Sequence, residues 1–169
     1  MEIYMKKISK EDQNNIELFE FITSLPEEIG GFRNPWYYSG HEKQFASWLD
    51  VIIKIDEGEY KIEGEALRHS IYWIYLGETP VGLGKTRYLT EEEKEFVGHV
   101  AYYISPQHRG KGLGTKALKL LVEKTKEDQG IEEVIISIEV ENLASRRIAE
   151  KCGAELKEIV DNVACKYYL

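Results

Sequence analysis

Cysteine is scarce in this chain: Cys152 and Cys165 are its only two among 169 residues. Two cysteines give no disulfide framework, and their spacing is not that of metal ligands. No metal requirement follows from the residues present. Long apolar runs are also missing; none approaches the roughly 20 residues that cross a bilayer. The opening Met1-Glu-Ile-Tyr-Met-Lys-Lys has no apolar core of a secretory signal. The expectation is a cytoplasmic protein with no membrane partner. Basic residues are outnumbered, 22 against 30 acids, for a net charge of −8. Nucleic acid is therefore excluded as the main partner, because phosphate contacts need a basic face. With four prolines and no repeat or low-complexity run, there is no linker to divide the chain.

What is present fits one globular domain over residues 1–169. Hydrophobic residues make up 43% and charged residues 31%, enough to bury a core at this length. The charge is uneven. Residues 105–126 hold six bases (Arg109, Lys111, Lys116, Lys119, Lys124, Lys126) and one acid, Glu123. Residues 56–65 and 91–93 are acidic. A basic patch on an acidic body suits a polyanionic ligand and a cationic acceptor, although single lysines commonly do no more than solvate a face.

Periodicity predicts a short strand at 3–8 and a helix over 11–25, ended before Pro26. Residues 28–39 read as a loop, with Gly30, Gly31 and Pro35 among the aromatics Phe32, Trp36, Tyr37 and Tyr38. Helical spacing returns from His41 through Phe45, Trp48, Leu49, Ile52 and Ile53. Residues 70–76 and 81–89 read as a hairpin, and 99–105 as the next strand. A helix over 113–126 shows a stripe of Leu113, Ala117, Leu120 and Leu121. Gly130 is its stop. A strand follows at 133–140, then a helix over 143–152 capped by Asn142, and a closing hairpin. The strands at 99–105 and 133–140, joined by a helix, are expected to run parallel. The fold class is α/β (α+β): a mixed central sheet of six to seven strands with helices on both faces.

The most telling stretch is Gln107-His-Arg-Gly110-Lys-Gly112-Leu-Gly114-Thr115. A strand empties into a glycine-rich loop that opens a helix, leaving backbone N–H groups to hold an anion. A P-loop requires Lys-Ser/Thr after its last glycine, and here Thr115-Lys116 has the reverse order. Gly110, Gly112 and Gly114 also miss the dinucleotide spacing. A tight strand–helix turn with no ligand is the plain alternative.

Gln107-x-x-Gly110-x-Gly112 resembles the Gln/Arg-x-x-Gly-x-Gly/Ala signature of the GCN5-related N-acetyltransferase (GNAT) superfamily. Asn142-Leu-Ala-Ser145 through Glu150-Lys151-Cys-Gly153 is similar to a second element of that family. The segment from Tyr88 to Pro106 also resembles a bacterial branch of acetyltransferases. The likeness covers about residues 70–160, leaving 1–69 as the acceptor side. It implies acetyl-CoA as co-substrate, an amine as acceptor, and direct transfer in a ternary complex.

The resemblance also implies roles. Backbone N–H groups of Arg109, Gly110, Lys111, Gly112, Leu113, Gly114 and Thr115 would wrap the CoA pyrophosphate, with Arg109 or Lys111 adding charge. Tyr103, Ile104 and Ser105 would meet the pantetheine arm through their main chain, and Asn142 and Ser145 would reach it from the next strand's end. A protonated acceptor amine must lose a proton. His99 takes about the place of a glutamate found in many relatives and is the expected base, with Glu95 the nearest carboxylate. The family's usual tyrosine acid is replaced by Ala149, so Ser145 is the candidate to stabilise the departing thiolate. Each has a plainer reading: a hydrogen-bonded structural histidine, a solvated turn residue, and helix capping for Asn142 and Ser145. Cys152 is expected in the apolar side of its helix and His108 in solvent. Phe32, Trp36, Tyr37, Tyr38 and Trp73 are candidates to clamp a cationic small molecule or peptide amine. A non-catalytic acetyl-CoA sensor or interaction domain is the alternative function, and a different nucleotide-binding protein is a third. A homodimer is one arrangement left open.

Overall fold

The computed structural model describes residues 2–29, 32–34, 36–59 and 68–169, with the backbone alone at Ile29, Phe32 and Arg33. Strands are β1 (Ile3–Lys7), β2 (Glu28–Ile29), β3 (Phe32–Arg33), β4 (Arg68–Leu76), β5 (Thr79–Tyr88), β6 (Val100–Ile104), β7 (Ile135–Glu139), β8 (Glu155–Val160) and β9 (Ala164–Tyr168). Helices are α1 (Ile16–Ser24), α2 (Glu42–Glu57), α3 (Leu113–Gln129) and α4 (Leu143–Lys151). Gly30, Gly31, Pro35 and the acidic residues 60–65 lie outside the described residues, as does the Phe32 side chain.

The α/β class with helices on both faces is as expected, and β1, β4, β5 and β6 with β7, β9 and β8 supply seven strands. They form two sheets rather than one. The first has the order β1-β4-β5-β6 and the second β7-β9-β8. Every ladder among the described residues is antiparallel, and β6 and β7, expected to run parallel, share no ladder. Instead the two strands touch at their starts. His99 N donates to Ile135 O at 2.7 Å. A Cβ on Gly98 would stand 2.5 Å from Ser137 N, so only glycine lets the two backbones approach this closely. Beyond that point β6 and β7 separate.

Alternation along β4 divides the core. Ile71, Trp73 and Tyr75 join Leu83 and Tyr103 against α1 and α2. Tyr72 faces Leu118 and Leu121 of α3, while Ile74 packs with Val81, Ile104, Leu113 and Ala117. The expected helix over 11–25 is broken at Asn15, whose side chain accepts from Leu18 N; a 3-10 turn at Lys10–Asn14 precedes it. That turn buries Asp12, which accepts from Lys6 Nζ (2.9 Å), Ser9 N (3.0 Å) and Trp73 Nε1 (3.0 Å). Three donors and one carboxylate lock the turn in place of a helical start. Asp161 and Asn162 close the final hairpin with φ of 49° and 56°, a conformation these two residue types tolerate.

Candidate active site

β6 ends at Ile104, and the chain passes through a 3-10 turn, Pro106–His108, into α3. Ser105 is buried; its N donates to Val81 O (2.9 Å) and its Oγ meets His108 Nδ1 (2.8 Å). His108 is therefore half-buried, not free in solvent. The loop then exposes Arg109, Gly110, Lys111 and Gly112. Gly110 and Gly112 take φ of 74° and 75°, where a side chain is strained. Gly112 is the cap of α3 and offers no side chain to its N–H groups. The first-turn N–H groups of Leu113, Gly114 and Thr115 have no intrahelical acceptor, and the dipole of a 17-residue helix adds positive potential at this point. Lys111 Nζ lies over the loop, donating to Gln107 O at 3.3 Å.

Among the described residues, β6 pairs with β5 on one side only. Because Ser105 N is spent on β5, the two-residue alternation turns the main chain of Tyr103 to β5 as well. The main-chain groups aimed at the opening toward β7 are those of Ile104 and Tyr102. This corrects the expectation for Tyr103 and Ser105. Ile104 O already accepts from Arg109 Nε at 2.9 Å, leaving the Ile104 N–H on that edge. Arg109 thus braces the strand end instead of reaching freely outward, and its guanidinium sits 5.4 Å from the Tyr103 ring centroid.

α4 closes the other side of the opening. Asn142 Oδ1 accepts from Ser145 N at 3.1 Å, the capping role its position predicts, which leaves its amide Nδ2 as a donor. Ser145 is half-buried. The Tyr102 hydroxyl lies near Ser145 and is buried without a hydrogen-bond partner among the described residues; burial pushes its pKa up to about 12. No sequence signal singles out this hydroxyl. Cys152 Sγ contacts Thr115 O at 3.6 Å and burial raises its pKa, so it is a packed, unreactive thiol.

His99 occupies a different position from the one a base requires. It is 2% exposed, and its Nδ1 accepts from Ile135 N at 2.9 Å. A neutral ring accepting at Nδ1 carries its proton on Nε2, so no lone pair remains to take another. Burial, with the Lys94 charge in second place, lowers its pKa to about 4. The plain structural reading of His99 is the one its geometry supports. Glu95 is exposed on a 3-10 turn. It shares with His99, Phe96, Glu133 and Tyr168 a cavity of about 880 Å³ at the start of β6, the opposite end from the glycine loop.

The aromatic candidates also separate. Trp73 is fully buried and bonded to Asp12, so it belongs to the core. Tyr38 packs on Phe45 and Trp48 of α2. Tyr37 is exposed. Trp36 is buried with its ring centroid 6.2 Å from that of Tyr103.

A strand ending in a glycine loop at a helix mouth, beside a second strand that diverges from it, offers an anion site next to an open strand edge. A profile of the acetyltransferase (GNAT) domain matches residues 3–155. The chain belongs to this family and is an acetyltransferase. No curated protein matches it in sequence. Among solved structures, it is similar to the ribosomal L7/L12 alpha-N-protein acetyltransferase RimL in complex with coenzyme A, at 13% identity and TM-score 0.67, covering 99% of this chain and 93% of that one. A chimera of spermidine N-acetyltransferase SpeG from Vibrio cholerae and hSSAT gives 14% identity and 0.67, covering 100% and 95%. Aminoglycoside acetyltransferase AAC(6')-Ib in complex with coenzyme A gives 18% and 0.67, covering 99% and 94%. At these identities the likeness extends to the fold. Among the described residues, no helix is long and apolar enough to cross a membrane.

Proposed function

We propose that the chain transfers the acetyl group of acetyl-CoA to an amine by direct attack in a ternary complex. One observation carries the reading: two left-handed glycines open the 17-residue α3 at the end of β6, whose far edge is unpaired among the described residues. The loop N–H groups from Arg109 to Thr115, with Lys111, hold the pyrophosphate. The pantetheine arm lies along the open edge of β6, where Ile104 and Tyr102 present main-chain groups. The Asn142 amide donates to the same arm.

The acceptor nitrogen attacks the thioester carbonyl, a C–N bond forms, and negative charge collects on the carbonyl oxygen. The Ile104 N–H donates to that charge in this reading. Collapse breaks the C–S bond, and the Ser145 hydroxyl donates to the departing thiolate. With both nitrogens of His99 committed, the amine proton goes to solvent.

Release of free thiol from acetyl-CoA, followed across a panel of amines, tests the reading, with acetyl-CoA binding measured by calorimetry alongside. Turnover with at least one amine class is expected. Binding without turnover on any amine would overturn the transferase reading in favour of an acetyl-CoA-binding module.

A further inference from the structure

Two buried polar atoms on the acceptor side have no partner among the described residues: Trp36 Nε1 and Tyr103 Oη. Both side chains are more than nine-tenths buried, at 6% and 8% exposure. Their rings are neighbours, 6.2 Å apart and tilted by 58°. Native proteins seldom leave a buried N–H or O–H unpaired, and here two neighbouring rings each carry one.

The placement of Trp36 is built. Asn34 Oδ1 accepts from Trp36 N at 3.0 Å, and Asn34 Nδ2 donates to Pro26 O at 2.8 Å. A buried amide thus fixes the Trp36 backbone, and the indole packs against Tyr103 of β6 on the face opposite α3. Tyr103 precedes Ile104, so the pair stands next to the edge assigned to the thioester.

The chemistry of the pair is selective. An indole N–H can only donate, and the tyrosine hydroxyl can donate beside it. The nearby formal charge is positive, since the Arg109 guanidinium lies over the Tyr103 ring. Asp12, a buried carboxylate of the same core, is fully used by Lys6, Ser9 and Trp73. Two donors beside a cation are complementary to an oxygen and not to a second ammonium.

We infer that Trp36 Nε1 and Tyr103 Oη receive a carbonyl or hydroxyl oxygen of the acceptor, which is therefore an oxygen-bearing amine and not a simple polyamine. This deepens the proposed transfer reaction and rests on it. It narrows the expected cationic small molecule or peptide amine to one that also carries an oxygen.

The test is a matched panel on the full chain. Glycinamide and a dipeptide represent amide-bearing amines, glucosamine represents hydroxylated ones, and butylamine, cadaverine and spermidine carry no oxygen. The oxygen-bearing arm should exceed the oxygen-free arm in kcat/KM by about tenfold or more, the worth of one directed hydrogen bond. Amide against glucosamine identifies the source of the oxygen. Trp36→Phe keeps the ring and removes the donor; it should raise KM for the favoured amine about tenfold with acetyl-CoA affinity unchanged. Tyr103→Phe repeats the test if Trp36→Phe folds poorly. Spermidine or cadaverine as the best substrate would overturn the inference. So would variants that lower every amine equally, which is the behaviour of a packing role. No turnover by any amine, with acetyl-CoA still bound, would instead remove the transfer reading on which it stands.

Discussion

Nδ1 of His99 accepts a 2.9 Å hydrogen bond from Ile135 N, and Ile135 O accepts a 2.7 Å bond from His99 N. This two-way link is the seam between the sheets, and it makes the imidazole a fastener that works only when neutral. The folded-state pKa is lowered to about 4 from the ordinary 6.5. The unfolded chain therefore takes up a proton between those values while the folded chain does not. Stability contributed by His99 is present above pH 6.5 and is lost as pH falls toward 4. Thermal denaturation from pH 7.5 to 4.5 should show a falling Tm, and His99→Gln should flatten part of that slope. An unchanged slope would show that His99 does not titrate in the seam.

The same fastener shapes catalysis at higher pH. With His99 committed, kcat/KM should climb with pH toward the pKa of the acceptor amine, with no plateau at the histidine range. A plateau near pH 6.5 that disappears in His99→Gln would reinstate His99 as the base.

Gly112 stands at φ 75°, and a Cβ added there would meet no atom within 4 Å, so a substitution acts through the backbone alone. Forcing an L-residue into that region costs roughly 1–2 kcal/mol. Gly112→Val should weaken acetyl-CoA binding about tenfold, while Gly112→Asn should weaken it less, because asparagine tolerates the left-handed region. Isothermal titration of acetyl-CoA distinguishes them; equal, wild-type affinity in both would sink the loop assignment.

Ser145 keeps its backbone bond to Asn142 in Ser145→Ala, so the helix cap survives while the hydroxyl is lost. A hydrogen bond to a charged group contributes about 1.5–3 kcal/mol. Turnover should fall roughly 10- to 100-fold, with acetyl-CoA affinity near wild type and partial recovery in Ser145→Thr. An undiminished kcat would take Ser145 out of thiolate stabilisation.

Asp12→Ala leaves the buried Trp73 N–H without its acceptor and frees Lys6 and the Ser9 N–H. The loss is expected at about 2–4 kcal/mol, read as a lower urea midpoint. Asp12→Asn, which keeps one oxygen, should lose less. A midpoint shift under about 0.5 kcal/mol would show that the 3-10 turn is held by its neighbours instead.

The C-terminal half is legible in the sequence because its signals are local. Gly110, Gly112, Asn142 and Gly130 each mark a turn or cap by their own chemistry, and α3 shows its stripe without help from the rest of the chain. The site's remaining parts arise from contacts distant in sequence. Nothing around Asp12 announces a partner at Trp73, so periodicity alone predicts helix where the 3-10 turn stands. Strand alternation is visible at Tyr103, but which edge of β6 pairs with β5 depends on register against Val81. His99 misleads for the same reason. Its position on the strand is local information, whereas the N–H that occupies it comes from Ile135.

Parting of β6 from β7 has a consequence for the protein without its co-substrate. Unpaired strand edges at a protein's periphery invite pairing with other chains. Here the open edge lies between the two sheets, with α3 packed against β6 and α4 against β7, and a thioester arm can take the place of a strand. Acetyl-CoA would then act as the sheet's absent member. Its departure should loosen β6 locally, and its arrival should slow exchange of the Ile104 amide more than that of Ser105, which is already bonded to β5.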